Sequence, residues 1–301
     1  MGPSDADTVS TPSTQAPNHS TSAGRVGAQR RVETDAGVRT VKSAEHTVAV
    51  LEYLASRGER PARIKEITEA TGIPRSSAYA LLKTLTDLGW VERDSSGLLY
   101  GVGLRALIAG VSYLDHDPAV HLVTPWLIRL CEELGETVHL ARLDGDDVVY
   151  LATRESSQYL RVLNRVGRRL PATTTSLGKA VLAGRSPEEL SHLLPDVLPG
   201  LTPHSIVDRD QLLADLAETR RRGYAIDQEE NTPGLRCIGV ALPYGTTPGV
   251  VTDAISCSVP LGRLTAEHEQ LIIDRLTAAA TEISITSRRP VSAWSLTKGL
   301  R

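Results

Sequence analysis

The sequence lacks the features that would place the chain in a membrane, outside the cell or among metal-dependent proteins. None of its 301 residues belongs to an apolar run of the ~20 residues that a membrane span needs. The N-terminus has no apolar segment of the kind that a secretory signal requires. The three cysteines, Cys131, Cys237 and Cys257, follow no paired or metal-binding spacing, which indicates reduced thiols. We therefore predict a cytoplasmic protein with no metal and no cofactor.

An excess of basic residues is also missing. The formal net charge is -3, and residues 41–103 contain eight Lys and Arg against eight Asp and Glu. A strongly basic domain is the usual electrostatic mark of a nucleic-acid binder. Any contact with DNA must therefore depend on where the cations lie rather than on how many there are.

The length and apolar content allow two modest domains between polar ends. Residues 1–38 are rich in Ser, Thr, Pro, Gly and Ala and predict a disordered tail, and residues 288–301 are assigned to a C-terminal tail. Basic residues near the end of the first tail include Arg25, Arg30 and Arg31. They would touch DNA phosphates or a minor groove if the next segment binds DNA, and a solvated linker is the alternative.

Residues 65–85 predict two short helices separated by a turn. Apolar residues recur at helical spacing on both sides of Gly72, which can adopt the left-handed conformation that ends a helix. Pro74 suits the first turn of the next helix. A generic helical hairpin has the same apolar spacing, but the outward residues here are small, hydrogen-bonding or cationic, as a helix in a DNA major groove requires. These candidate DNA contacts are Arg75, Ser76, Ser77, Tyr79 and Lys83.

The flanking segments extend this pattern to a winged helix. Upstream, residues 41–56 predict a helix with one apolar face. Downstream, residues 88–93 and 98–102 predict two strands joined by a tight turn at 94–97. In a winged helix the hairpin follows the DNA backbone while the second helix of the pair reads bases. We predict a winged helix-turn-helix DNA-binding domain over residues 39–103, with protein binding as the alternative for the same pattern.

Residues 117–287 predict an α/β domain, joined to the first domain by a linker helix over 104–116. From residue 136 the apolar period changes from helical to alternating, and strands and helices then follow in turn. One of the predicted strands runs from Tyr159 to Leu163. The fold class is therefore α+β, with a largely antiparallel central sheet in the second domain.

Polar side chains converge at one place in this second domain. Asp227 ends a predicted strand, and Ser256 and Ser258 alternate along another, so that both face one side. Ser176 is the predicted N-cap of a helix over 177–183, whose first N–H groups would favour an anionic group. Because pockets carry few oriented polar groups, these residues predict a ligand site, and the crowd of hydroxyls favours a small hydroxylated or sugar-like carboxylate. The alternative is that Ser176 serves only as a cap.

The chain also resembles a known family. Residues 41–103 are followed by Glu-Thr-Val-His-Leu at 136–140, Ser-Leu-Gly-Lys-Ala-Val-Leu-Ala at 176–183 and Asp-Gln-Glu-Glu-Asn-Thr-Pro-Gly-Leu-Arg-Cys at 227–237. This combination is similar to the IclR family of bacterial transcription regulators over residues 41–285. The resemblance implies a ligand-responsive regulator, more often a repressor, with a GAF-like domain that binds a small organic effector. It also implies a homodimer or tetramer acting on double-stranded operator DNA of a catabolic operon.

Particular effector contacts follow from the resemblance when its blocks are matched residue by residue. These positions are Ser176, Leu177, Asp227, Leu235, Cys237, Ser256 and Ser258. Cys237 has the alternative of a small buried hydrophobe. The chain departs from the family at Ala80, where relatives usually carry an arginine, and one expected DNA contact is thereby removed.

Two patterns point to other functions. The stretch Gly-Val-Gly-Leu-Arg-Ala at 101–106 fits a dinucleotide-binding pattern, but a second helix follows where that pattern needs a strand. The alternative function is a small-molecule enzyme with a winged-helix interaction module. No catalytic constellation supports it, since neither His139 nor the acidic pairs 146–147 and 229–230 have the spacing of a metal or acid–base site. We predict no catalytic residue.

Overall fold

A computed structural model of the chain shows two compact units that meet in sequence between Ala106 and Leu107. Three predicted segments lie outside the residues that the structure describes. They are the N-terminal tail, most of the C-terminal tail and the strand at 159–163. The structure describes residues 40–58, 60–158, 166–244 and 251–288.

The first unit is a winged helix-turn-helix. Its three antiparallel strands are ordered β1-β3-β2, and Gly72 ends the first helix of the pair with φ 68°. The two-residue β1 was not expected, because a segment so short shows no alternation of its own. The elements are α1 (Lys42–Ser56), β1 (Ala62–Arg63), α2 (Ile64–Thr71), α3 (Arg75–Asp87), β2 (Val91–Arg93) and β3 (Leu99–Val102).

The core of the first unit lies between its helices. Helix α3 buries Ala78, Leu82 and Leu85, which pack in one cluster with Val50 of α1 and Ile67 of α2. These α3 positions recur every three or four residues, so the helix has one buried stripe and presents its other side to solvent.

The second unit is built around one six-stranded sheet. Every strand pair is antiparallel, and the order is β6-β5-β4-β9-β8-β7. Its helices are α4 (Leu104–His116), α5 (Pro118–Leu134), α6 (Ser176–Leu182), α7 (Pro187–Leu193), α8 (Arg209–Arg222) and α9 (Ala266–Arg288), with α4 beginning in the first unit. Its strands are β4 (Thr137–Asp144), β5 (Asp147–Arg154), β6 (Arg169–Pro171), β7 (Ala225–Gln228), β8 (Leu235–Ala241) and β9 (Asp253–Pro260).

Helices cover both faces of this sheet. Helices α5 and α9 pack on one face against alternate apolar residues such as Ile255 and Cys257 of β9, and α6, α7 and α8 form a second apolar cluster on the other face. Successive side chains of a strand point to opposite faces. Ser256 and Ser258 therefore both face α6, which confirms the alternation predicted from the sequence.

Three local predictions need correction by one residue. The N-cap of α6 is Thr175, whose hydroxyl accepts a hydrogen bond from the amide of Gly178 at 3.1 Å, so the prediction of Ser176 as the cap was wrong. Pro74 is the N-cap of α3 rather than a residue of its first turn. Asp227 is the penultimate residue of β7, not its end.

No helix among the described residues is both long and apolar enough to cross a bilayer.

Candidate effector pocket and DNA-binding surface

Four strands align a row of polar side chains on the α6 face of the sheet. Asp227 of β7 pairs with Cys237 of β8, Cys237 with Ser258 of β9, and Ser258 with Thr137 of β4. The sulfur of Cys237 lies 3.2 Å from the hydroxyl oxygen of Ser258. Three of the predicted effector contacts therefore belong to one row across the sheet.

A second row lies two residues further along the same strands. Gly239 of β8 pairs with Ser256 of β9, which pairs with His139 of β4, which pairs with Thr153 of β5. In the row beyond it, Ala141 pairs with both Ala254 and Tyr150, and the polar surface ends there.

Helix α6 begins directly above the second row because two glycines allow it. A Cβ atom at Gly239 would stand 2.6 Å from the carbonyl carbon and oxygen of Ser176, and one at Gly178 would stand 2.2 Å from the carbonyl oxygen of Ala172. Real Cβ atoms do not approach backbone so closely. The two glycines thus bring Ser176 and Leu177, both buried, onto the polar face of the sheet.

Asp227 is the acidic group of this face. Its side chain is buried, and its Oδ1 accepts hydrogen bonds from the backbone N–H of Glu230 at 2.8 Å and of Asn231 at 3.3 Å. Burial, followed by the charge of Glu230, raises the pKa of Asp227 to about 7. Near neutral pH the carboxyl group is therefore present in both protonation states.

A buried lysine holds the turn that follows Asp227. The ammonium of Lys179, on α6, lies 2.5 Å from Oε1 of Glu230 and 2.9 Å from Oδ2 of Asp215 on α8. The Lys179 side chain is only 1% exposed. Buried charges are tolerated when they are paired, so this triad fixes α6, α8 and the turn after β7 to one another.

Cys237 does not have the surroundings of a nucleophile. Its burial, and then the charge of Asp227, hold the pKa of the thiol well above its usual value. A thiol acts as a nucleophile through its thiolate form, which is suppressed here. The proximity of Cys237 to Asp227 and Ser258 leaves it as a lining group of the pocket.

The predicted effector residues lie together on one side of one sheet. Asp227, Cys237, Ser256 and Ser258 occupy the two polar rows, and Leu235 shares their face of β8 two residues before Cys237. Ser176 and Leu177 cover them from α6.

The sequence analysis missed three polar residues of this region. His139 and Thr153 lie in the second row, and Lys179 holds Glu230. A lysine in an otherwise apolar helix was a signal that a buried acid lay nearby. His139 had no such local signal, because its place beside Ser256 depends on which strands pair.

All five candidate DNA contacts are exposed on α3. Arg75, Tyr79 and Lys83 are spaced by four residues and form one stripe. The ammonium of Lys83 lies 2.7 Å from Asp87, and this hydrogen bond raises the lysine pKa. Exposed pairs of this kind contribute little free energy, so Lys83 can exchange Asp87 for a phosphate.

The wing carries a cation that the sequence analysis did not single out. Arg93 of β2 donates a hydrogen bond to the carbonyl of Gly97, and its guanidinium lies 5.4 Å from the ring centre of Tyr100. A winged helix with exposed cations, and two rows of buried polar side chains in a second unit, are the features of a DNA-binding regulator that responds to a small molecule.

Comparison with known proteins gives the same result. Residues 43–95 match the family described as IclR helix-turn-helix domain, and residues 111–285 match the one described as bacterial transcriptional regulator IclR C-terminal. The chain therefore belongs to the IclR family of bacterial transcriptional regulators.

Individual relatives cover most of the chain. The HTH-type transcriptional regulator KdgR of Escherichia coli (strain K12) is 32% identical over 246 residues, which are 81% of this chain and 92% of that protein. The HTH-type transcriptional repressor AllR of the same strain is 34% identical over 228 residues, 75% of this chain and 83% of that protein. The crystal structure of an IclR homologue complexed with 4-hydroxybenzoate, from Microbacterium hydrocarbonoxydans, has a TM-score of 0.66 and 26% identity. The match covers 82% of this chain and 99% of the chain of the Microbacterium homologue.

Proposed function

We propose that this protein is a cytoplasmic repressor of a catabolic operon, released from its operator by a small organic acid. The observation that carries the proposal is the presence of an exposed helix stripe suited to DNA in one unit and two rows of buried polar side chains in the other. The relative named a repressor, AllR, supports the direction of regulation. The alternative of an enzyme loses one candidate nucleophile, since burial holds the pKa of the Cys237 thiol well above its usual value.

The first experiment is a mobility-shift titration on the DNA that flanks the gene of this protein, at two salt concentrations. We expect Arg75→Ala to weaken specific binding by about 1–3 kcal/mol, as the loss of a base contact does. Arg221→Ala is the matched control, because this arginine is 74% exposed on α8, in the other unit. An Arg75→Ala shift equal to that of the control would show that α3 does not read the operator.

The raised pKa of Asp227 explains how a site that contains an acidic residue can bind a carboxylic acid. With a pKa of about 7, its carboxyl group shares a proton with the carboxylate of the effector, and two carboxyl groups then form a hydrogen bond instead of repelling each other. The hydroxyls of Ser256 and Ser258 supply further donors on β9. The 4-hydroxybenzoate bound by the Microbacterium homologue is a carboxylate with a hydroxyl, the class of ligand proposed here.

The effector proposal is tested by calorimetric titration with a panel of small carboxylates, with neutral and cationic compounds of equal size beside them. We expect Asp227→Ala to leave operator affinity unchanged and to abolish the response to the acid. The control is Asp196→Ala, at an exposed carboxylate. Binding of neutral or cationic compounds alone would refute the acid class.

We further propose that the protein acts as a homodimer, or a dimer of dimers, through α4. This helix carries a stripe of apolar residues whose exposed fractions are 62% at Leu104, 60% at Leu107, 58% at Ile108 and 42% at Val111. Such a stripe on a helix is typical of a surface that packs against another copy. Sedimentation equilibrium of Leu107→Asp should show dissociation, and a wild-type monomer would contradict the proposal.

A further inference from the structure

Five buried side-chain polar atoms among the described residues have no hydrogen-bond partner. Three of them belong to charged groups held in ion pairs, namely Arg185, Asp215 and Glu230. The two on uncharged side chains are Nε2 of His139 on β4 and Oγ1 of Thr173, in the turn that leads into α6. His139 is 0% exposed and Thr173 is 1% exposed. Because burial without a partner costs free energy, such atoms are rare in native proteins and each one needs a physical explanation.

Two contacts hold the His139 ring in place. Its Nδ1 lies 3.1 Å from the hydroxyl oxygen of Thr153, and its ring meets Tyr150 edge to face, with centroids 5.2 Å apart and planes at 81°. Nε2 is at the end of the ring remote from the backbone. His139 shares its face of the sheet with Ser256, so Nε2 points away from the sheet, into the layer where α6 lies.

The ring is neutral, and this decides what it can bind. Burial lowers the pKa of His139 to about 3, so the imidazole carries no charge at neutral pH. A neutral imidazole with one unused nitrogen donates or accepts a single hydrogen bond, according to its tautomer. Its natural partner is an uncharged hydroxyl or keto oxygen, whereas a carboxylate is better served by Asp227 in its protonated form.

Strand order gives the distance between the two ends of the pocket. Asp227 lies on β7 and His139 on β4, with β8 and β9 between them. Three inter-strand spacings and an offset of two residues along the strands separate their backbones by ~16 Å, and a hydrogen bond of ~3 Å at each end leaves a ligand of roughly 10 Å. An extended six-carbon chain with oxygens at both ends approaches this length, and one aromatic ring with para substituents is shorter by a few ångström. A two-carbon acid is far too short.

We propose that His139 is a further effector contact, which binds a hydroxyl or keto oxygen at the end of the effector opposite its carboxylate. Thr173 is the second partner of that oxygen. The effector is then an acid with a distal oxygen, long enough to reach from Asp227 to His139. This inference rests on the effector function proposed above and narrows its ligand class.

The test uses acids in pairs that differ by one distal hydroxyl. The pairs are 4-hydroxybenzoate with benzoate and 6-hydroxyhexanoate with hexanoate, titrated calorimetrically into the full-length wild-type protein, His139→Phe and His192→Phe. We expect the wild type to prefer the hydroxylated acid of at least one pair by about three- to tenfold, the value of one hydrogen bond. His139→Phe removes this preference and keeps the affinity for the plain acid. His192, exposed on α7, is the matched control and leaves the preference unchanged.

A second variant removes the other uncharged buried group that has no hydrogen-bond partner among the described residues. Thr173→Val keeps the shape of the side chain and removes its hydroxyl, so it also reduces the preference, even where His139→Phe fails to fold. A cooperative unfolding transition of wild-type enthalpy in scanning calorimetry shows that each variant is folded in both units.

The outcomes distinguish the proposed role of His139 from the effector function on which it rests. If both acids of a pair bind and the preference for the hydroxylated acid survives His139→Phe and Thr173→Val, the proposed role of His139 is refuted. The same holds if the wild type binds both acids without a preference. In either case the proposal of an acid effector is unaffected. If none of the four acids binds the wild type, the proposed effector class fails and this inference fails with it.

Discussion

Replacing Lys179 by methionine should destabilise the second unit strongly, in a way that depends on pH. The Lys179 ammonium lies 2.5 Å from Glu230 and 2.9 Å from Asp215, and its side chain is 1% exposed. Methionine fills nearly the same volume, so the main effect is a buried carboxylate left without its partner. Such a loss costs about 3–5 kcal/mol. Since 1 kcal/mol lowers the Tm of a domain of this size by roughly 2–4 °C, we expect a Tm lower by roughly 6–20 °C.

The pH dependence follows from the protonation of Glu230. Burial raises the pKa of Glu230, and the charge of Lys179 opposes that rise, so the pKa climbs further when the lysine is removed. A carboxyl group whose pKa is higher in the folded than in the unfolded state is most favourable to folding below its unfolded pKa. Its contribution is lost as pH rises through the folded pKa. The stability deficit of Lys179→Met should therefore be smaller at pH 5 than at pH 8.

Scanning calorimetry at pH 5, 6.5 and 8 measures this deficit. Lys179→Met with Glu230→Gln should recover most of the lost stability at pH 8, because the pair is then replaced by two uncharged groups. Arg221→Met is the control, since it breaks the exposed pair with Glu218 and should shift Tm little. A deficit that is absent at pH 8, or one that is equal at all three pH values, would refute the reasoning.

Two further predictions concern the pocket. Asp227→Asn keeps an oxygen to accept from the amide of Glu230 but cannot ionise. Since burial raises the pKa of Asp227 to about 7, wild-type stability falls as pH rises from about 4 to about 7 and changes little above that. The free energy of unfolding of Asp227→Asn relative to wild type should therefore rise by about 2–3 kcal/mol from pH 5 to pH 8, with a matching rise in relative Tm, and parallel curves would contradict the assignment. Gly239→Ala places a methyl group 2.6 Å from the Ser176 carbonyl, so α6 must shift, and calorimetry should find about 1–3 kcal/mol of destabilisation with loss of acid binding. Gly101→Ala, at a strand glycine with open space around it, is the control, and equal effects of the two substitutions would show that α6 does not depend on the close approach.

Local patterns predicted most of the elements in the described residues. Gly72 ended its helix as its left-handed preference required, and the alternation of Ser256 and Ser258 placed both on one face. The errors were local as well. Thr175 and Ser176 are adjacent residues that can both cap a helix, and only the path of the backbone decides which of them does.

The sequence by itself determined the class of protein, since its outward α3 residues and its motif blocks are features of contiguous segments, and helical or strand periodicity depends on near neighbours. Only the tertiary structure decided what surrounds the effector site. His139 meets Ser256 because β4 pairs with β9, and Lys179 meets Glu230 because α6 lies over β8. Pairing between strands more than a hundred residues apart depends on register and packing across the whole domain, and no local pattern of residues encodes it.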